Sequence, residues 1–168
     1  KSSRMGKDKG TTALNHKAMI CYVIDVLKKV VNHNLILIAN LEIYNQFGLE
    51  VHKDIISDCG PMAGIYTGLI NSKTNVNVVC ACDIPFVQAE LFSFLLKNYN
   101  NQNALIPIHN EKTEPLCGIY HKNCIPVFEQ LLEKKQLKLK DSFAHLNAKY
   151  VEVSKESFYN EQLFNNIN

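Results

Sequence analysis

The period of apolar and polar positions switches repeatedly along this chain. Over residues 16–31, HKAMICYVIDVLKKVV, the positions Met19, Ile20, Val23, Val26, Leu27, Val30 and Val31 recur near helical spacing, and Asn15 stands where an N-cap would. LILIA at 35–39 is a short unbroken apolar run rich in branched residues, the pattern of a strand buried on both faces. LEIYNQF then predicts a short helix closed by Gly48, and EVHK at 50–53 a further strand. After Gly60-Pro61 the segment MAGIYTGLINS reads as a helix, VNVVCAC at 76–82 as the clearest strand, and FVQAELFSFLLKNY at 86–99 as a helix again. ALIPI at 104–108 and PLCGIY at 115–120 predict strands. Two amphipathic stretches follow at 122–136 and 137–147, then a strand in KYVEV and a polar tail ending FNNIN.

Strands alternating with helices predict an α/β fold, a mostly parallel central sheet covered on both faces. Ligands of such sheets bind beyond the carboxyl ends of the strands. Three polar residues stand there: Asn40 after LILIA, Asp54 after EVHK and Asp83 after VNVVCAC. The expectation is that they share one rim.

Composition narrows the picture. The chain has 168 residues, 46% of them hydrophobic and 20% charged, which suits one globular domain and argues against disorder. A net charge of +2 does not single out nucleic acid or an anionic membrane as partner, and no apolar run approaches the roughly 20 residues of a spanning helix. Positive charge is concentrated locally, in KSSRMGKDKGTT at 1–12. The six cysteines lie largely in apolar runs. Cys80 and Cys82 lack the spacing of a zinc site, so structural thiols in a reducing cytoplasm are the favoured reading.

Asp83 ends an apolar strand and precedes Ile84-Pro85, and a carboxylate at a buried strand end needs a positive partner. Mg²⁺ is the natural candidate, because it takes one or two carboxylates and completes its shell with phosphates and water; capping of the next helix is the competing role. Taken singly, Asn40 and Asp54 read as turn and loop residues. In the opening stretch, Ser2, Ser3 and Gly6 bring hydrogen-bond donors, while Arg4, Lys7 and Lys9 bring charge, a combination suited to phosphate. The stretch is not a P-loop, since Gly6 and Gly10 are too close together and Thr11-Thr12 stand where Lys is required. His109 and His121 flank a strand pair as expected surface residues, and Glu129, Glu133, Lys134 and Lys135 read as a solvated face.

The order of these features resembles a known family. KSSRMGKDK at 1–9 is similar to the second half of the signature L-A-G-G-x-S-x-R-M-G-x-D-K of nucleotidyltransferases. Further matches follow in order: I-A-N at 38–40, D-x₅-G-P-M-A-G-I at 54–65, C-D-I-P at 82–85, E-P-L-C-G-I-Y at 114–120 and F-N-N-I-N at 164–168. The whole chain resembles the molybdenum cofactor guanylyltransferase family, also called molybdopterin-guanine dinucleotide biosynthesis protein A.

The resemblance implies a three-layer Rossmann-like nucleotidyltransferase fold, of the nucleotide-diphospho-sugar transferase type, in one domain over 1–168. It implies transfer of GMP from GTP to molybdenum-bound molybdopterin in the cytoplasm, with Mg²⁺ as cofactor and with molybdenum-insertion and molybdoenzyme chaperone proteins as further partners. Neither nucleic acid nor membrane enters. Lys9 would contact the nucleotide phosphates with Arg4 helping to neutralise them. Asn40 and Asp54 would bind the nucleotide around base and ribose, and Asp83 would hold Mg²⁺. Gly60, Pro61 and Gly64 would shape the pocket wall, and Asn166 and Asn168 would face the pterin or the metal. Two parts of the family pattern are absent: L-A-G-G with the strand before it, and T-P-E-D after N-I-N. The expectation is therefore a chain lacking its first strand, the start of the glycine-rich loop and a C-terminal end. The alternatives are a molybdopterin cytidylyltransferase, a sugar-phosphate nucleotidyltransferase, a non-catalytic cofactor-delivery module and a plain flavodoxin-like binding domain.

Overall fold

The computed structural model describes residues 9–32 and 34–167, and of Lys9 the backbone alone. The side chains of Arg4, Lys9 and Asn168 thus lie outside the described residues.

A short 3₁₀ turn at Lys9–Thr11 leads into a hairpin of β1 (Ala13–Leu14) and β2 (Lys17–Ala18). Asn15 and His16 join the two strands with φ of 49° and 65°, the paired left-handed geometry of a tight hairpin turn, for which Asn is suited. This corrects the expected cap. Asn15 is consumed by the hairpin, and helix α1 (Met19–Val31) begins directly from Ala18 without a side-chain cap.

Strand β3 (Ile36–Ile38) runs parallel to β4 (Glu50–His52), and a 3₁₀ helix at Glu42–Phe47 lies between them. That helix stops at Gly48, whose φ of 67° fits the predicted glycine stop. Helix α2 (Gly60–Asn71) leads to β5 (Val76–Val78), which is shorter than predicted. Beyond it Val79 and Ala81 still donate to the carbonyls of Gly118 and Leu116, so the ladder continues to the end of VNVVCAC in looser form. Then come α3 (Ala89–Asn98), β6 (Ala104–His109), β7 (Lys112–Thr113), β8 (Ile119–His121), α4 (Ile125–Glu133), α5 (Leu139–Ser142) and β9 (Ala148–Glu152).

The larger sheet has the order β5-β8-β6-β7, with β9 parallel to β6 on its other side. Strands β5 and β6 are both antiparallel to β8, so β5, β6 and β9 share one direction. The sheet is mixed, and the reversed β8 sits inside it.

Alternation along β6 and β8 creates the layers. Ala104, Ile106 and Tyr120 pack with Met62, Tyr66 and Leu69 of α2 and with Phe128, Leu131 and Leu132 of α4. Leu105 and Ile119 face the other way, against Val23 and Leu27 of α1 and Leu91, Phe92 and Leu95 of α3. Successive strand residues point to opposite faces, so one strand feeds two cores. A third cluster fixes β3 and β4 to α1 through Ile20, Ile24 and Tyr44.

An apolar cleft of about 620 Å³ runs between the two sheets. Residues 35–38 line one side and residues 76–82 the other, with Gly64, Gly68 and Leu69 of α2 also contributing. Among the described residues β3 pairs only with β4, and β5 only with β8.

Glu129, Glu133, Lys134 and Lys135 are exposed, as the expected solvated face requires, and the Glu129 carboxylate also accepts a 3.0 Å hydrogen bond from the Tyr66 hydroxyl. The six cysteines form no disulfide with one another. Burial raises the Cys124 thiol to about 12, while its Sγ donates to the Asn103 carbonyl.

Two outcomes follow from this packing. A Cβ on Gly118 would lie 2.9 Å from the Leu105 carbonyl oxygen and 3.0 Å from Ile106 Cδ1. Gly118→Ala is expected to destabilise the fold by about 1–3 kcal/mol, read as a lowered urea midpoint. Cys124, with its thiolate suppressed, should resist iodoacetamide at pH 8 in the native protein and react fully once unfolded.

Candidate active site

Ladder register builds the first half of the site. Ile38 is opposite His52 in the parallel β3–β4 pair, so two residues further on Asn40 comes beside Asp54. The Ala39 N–H donates to the His52 carbonyl at 2.9 Å and carries the pairing to the strand ends. Asn40 Nδ2 then donates to Asp54 Oδ2 at 2.9 Å, and the Asp54 backbone N–H donates to Asn40 Oδ1 at 2.9 Å. The loop is tied to α2 through the Ile55 N–H, which donates to the buried Thr67 hydroxyl at 3.0 Å.

The second carboxylate oxygen of this pair, Asp54 Oδ1, is buried without a partner among the described residues. A Cβ on Gly64 would lie 3.8 Å from it, so glycine keeps the helix backbone close to an acceptor with unused capacity. Buried acceptors of this kind are costly unless a donor arrives, and a ligand hydroxyl or amine meets that need. Gly60 opens α2 with φ of 69°, which a side chain would strain, and Pro61 follows within the first turn, where its missing N–H costs nothing. The amino end of this 12-residue helix adds a positive dipole end to the same region.

Asp83 forms the second half. It lies in the turn after the β5 extension, five residues before the Gln88 that precedes α3, which removes helix capping as its role. The C-terminal segment returns to it instead. Asn166 Nδ2 donates to Asp83 Oδ2 at 2.5 Å, and the Ile167 N–H donates to the Asp83 carbonyl at 3.2 Å. Pro61, Gly64, Cys82 and Asp83 all line the cleft, and Gly64 brings that lining close to Asp54 Oδ1. Residue 10 is nearby: a Cβ on Gly10 would run into the Tyr44 hydroxyl and come within 3.0 Å of Cys82 Sγ. The end of the basic stretch is thereby packed one residue away from Asp83.

Mg²⁺ can be tested against these donors. Among the described residues there is no group of three or more His, Cys, Asp or Glu able to hold a metal. Asp83 offers a half-buried hard oxygen donor. That set fits a cation arriving with a polyphosphate, whose oxygens and waters complete the octahedron, and does not fit a metal caged by protein alone.

The sequence reading placed His109 at the surface, and the structure corrects this. Its side chain is 12% exposed and clasped at both nitrogens. Nε2 is 2.9 Å from Glu114 Oε1, and Nδ1 is 3.2 Å from the Tyr159 hydroxyl, which also receives Asn110 Nδ2 at 3.1 Å. The consistent arrangement has Tyr159 donating to Nδ1 and Nε2–H donating to Glu114. A His and a Glu five residues apart across the Asn110–Glu111 turn were the available signal in the sequence.

The profile of the MobA-like NTP transferase domain family matches residues 1–149. A probable molybdenum cofactor guanylyltransferase of Flavobacterium johnsoniae is 32% identical over 161 residues, covering 95% of this chain and 84% of the relative. One from Carboxydothermus hydrogenoformans is 31% identical over 170 residues, covering 100% of this chain and 86% of the relative. The crystal structure of molybdopterin-guanine dinucleotide biosynthesis protein A from Archaeoglobus fulgidus superposes with a TM-score of 0.82 at 26% identity, over 99% of this chain and 87% of that one.

Asn40→Ala removes both hydrogen bonds of the Asn40–Asp54 clasp while leaving the apolar cores untouched. A loss of about 1–2 kcal/mol in stability is expected from equilibrium unfolding. In the same variant the exchange of the Asp54 amide hydrogen should quicken.

Proposed function

This chain belongs to the MobA-like NTP transferase domain family, and on that premise we propose that it transfers GMP from GTP to molybdenum-bound molybdopterin. The observation that carries the reading is the rim itself. Asn40 is clasped to Asp54 past the ends of β3 and β4, Asp83 is held by Asn166 past the end of β5, and Asp83 lines the cleft together with Gly64, whose backbone approaches Asp54 Oδ1.

In the proposed reaction the terminal phosphate of the pterin attacks the α-phosphorus of GTP. A new P–O bond forms, the bond from the α-phosphorus to the α–β bridging oxygen breaks, and pyrophosphate leaves with that electron pair. A phosphate nucleophile is already ionised, so the residues need to supply alignment and charge rather than a strong base. Asp83 would hold Mg²⁺, which when bound supplies positive charge to the phosphate oxygens. Asn166 fixes the orientation of the Asp83 carboxylate through Oδ2. Asp54 Oδ1, buried and unpartnered among the described residues, offers an acceptor to a ribose hydroxyl or a base amine, with Asn40 holding the other oxygen. Gly60 and Pro61 shape the approach to the amino end of α2. Lys9 and Arg4 are assigned to the triphosphate, and Asn168 to the pterin side.

The reading includes one more strand between β3 and β5. Two strands that each pair on one edge among the described residues, lining one apolar cleft from opposite sides, support that placement. A glycine-rich turn at the end of such a strand would meet the basic stretch where Gly10 packs against Tyr44 and Cys82.

Pyrophosphate release from GTP and the molybdenum-bound pterin tests the reaction in the full-length protein. Asp83→Asn is expected to lower kcat by at least ~10²-fold at saturating Mg²⁺; a near-normal rate would remove Asp83 from metal binding. Lys9→Ala should lower kcat/KM for GTP by ~10²-fold with the fold intact. Competition binding should favour GTP over CTP and UTP, and a preference for CTP would move the chain to the cytidylyl reaction.

A further inference from the structure

The half-buried histidine of the β6–β7 hairpin has no place in the chemistry above, yet its surroundings are built with more polar contacts than a structural histidine requires. We infer that His109 is a positioning residue, seating the C-terminal segment so that Asn166 is held against Asp83. The inference rests on the proposed reaction for its kinetic consequence, and on geometry alone for its structural one.

The argument begins at the ring. Both nitrogens of His109 are engaged, by Glu114 at 2.9 Å and Tyr159 at 3.2 Å, and Asn110 holds the Tyr159 hydroxyl from the far side at 3.1 Å. A ring bonded at both ends cannot turn about χ2 without losing both bonds, so its plane is fixed. That plane meets Phe164, centroid to centroid at 4.6 Å with 27° between the rings, while Tyr159 is tilted against the same imidazole at 5.8 Å. Phe164 is buried, and with Leu163 it belongs to the core cluster that includes Val153 and Leu105.

Phe164 is the last residue of the segment with such an anchor. Asn165 and Asn166 beyond it are exposed; the Asn165 N–H donates to the Gln162 carbonyl within the same segment at 2.9 Å, and Asn166 Nδ2 and the Ile167 N–H donate to Asp83. Exposed hydrogen bonds contribute only about 0.5–1.5 kcal/mol each, too little by themselves to offset the ordering of residues 165–167 at a cost of about 1–2 kcal/mol per residue. The position of Asn166 is therefore set two residues earlier, by the stacked rings. His109 links the end of β6 to a carboxylate at the end of β5 without touching that carboxylate.

Amide hydrogen exchange and a double-mutant cycle on the full-length protein test the inference. His109→Ala should speed exchange of the Ile167 amide at least tenfold. It should also lower kcat for pyrophosphate release about tenfold, with KM for GTP within twofold. In an Asn166→Ala background the same substitution should change kcat by less than twofold, because its route of action is already gone. Unchanged exchange at Ile167, or losses in kcat that multiply, overturns the inference. If the protein releases no pyrophosphate from GTP at all, the proposed function fails and the exchange measurement still decides the seating. Should His109→Ala not fold, His109→Phe keeps an aromatic ring without its nitrogens. Ile167 exchange at least threefold faster than in the parent protein then supports seating by a ring whose plane its two hydrogen bonds fix, and exchange within threefold overturns it.

Discussion

The carboxyl end of each strand must hand its last polar groups to a partner, and ladder register decides which partner it meets. In β3 and β4 the parallel register brings Asn40 to Asp54, and two reciprocal hydrogen bonds close the ends of both strands. At β5 no parallel neighbour stands alongside Asp83 among the described residues, and a distant segment supplies the donor instead, through Asn166 and Ile167. Asp83 lines the cleft, and the Asp54 carboxylate lies against Gly64, which lines it too. The site is thus a consequence of how two strand ends are satisfied, and the remaining features of the fold keep those ends in place.

Much of this could be read from the sequence because apolar periodicity reports burial directly. The alternation of β6 and β8 between two cores, and the helical spacing of α1, α2 and α3, follow from residues whose exposure would be costly. What could not be read depends on partners remote in sequence. Asn15 looked like a helix cap by local chemistry, and the hairpin claimed it. Glu129 is solvated as its pattern suggested, but the hydrogen bond it accepts from Tyr66, 63 residues away, left no local mark. His109 looked like a surface histidine, since neither Tyr159 nor Phe164, 50 and 55 residues on, announces its arrival. The strand end at Asp83 was visible as an apolar run followed by a charge, whereas its donor required the return of residue 166.

The apolar cleft between the sheets makes the same point in the opposite sense. Strands β3 and β5 are half-buried along their length, and their residues contribute aliphatic walls to a space of about 620 Å³. Wall residues such as Leu37 and Val78 present the apolar surface that the proposed further strand between β3 and β5 would cover. The two sheets are nevertheless held at this separation by helices common to both. Helix α1 contributes Ile20 and Ile24 to the β3–β4 cluster, and Val23 and Leu27 to the larger sheet's cluster. Helix α2 packs against the larger sheet through Met62 and Tyr66 while its Gly68 lies near Ile38. The frame around the cleft is therefore rigid from outside, and its mouth keeps Gly64 and Asp83 on a common border.

In the proposed reaction the site works by charge alone, which places a particular demand on such a frame. Without a general base, the rate depends on how well fixed charges match the phosphate oxygens, and a displacement of about 1 Å can cost about 10²-fold. A carboxylate on a turn, as Asp83 is, would drift on that scale if its own strand were the only support. Here its backbone carbonyl and its side chain are bound separately by neighbouring residues of one segment, and that segment is fixed by a buried ring stack. Two attachments restrain both the position and the rotation of the carboxylate, where either alone would leave one of them free. The polar rim thus derives its precision from the apolar anchor behind it, and the C-terminal segment acts as a structural part of the site rather than an appendage to the domain.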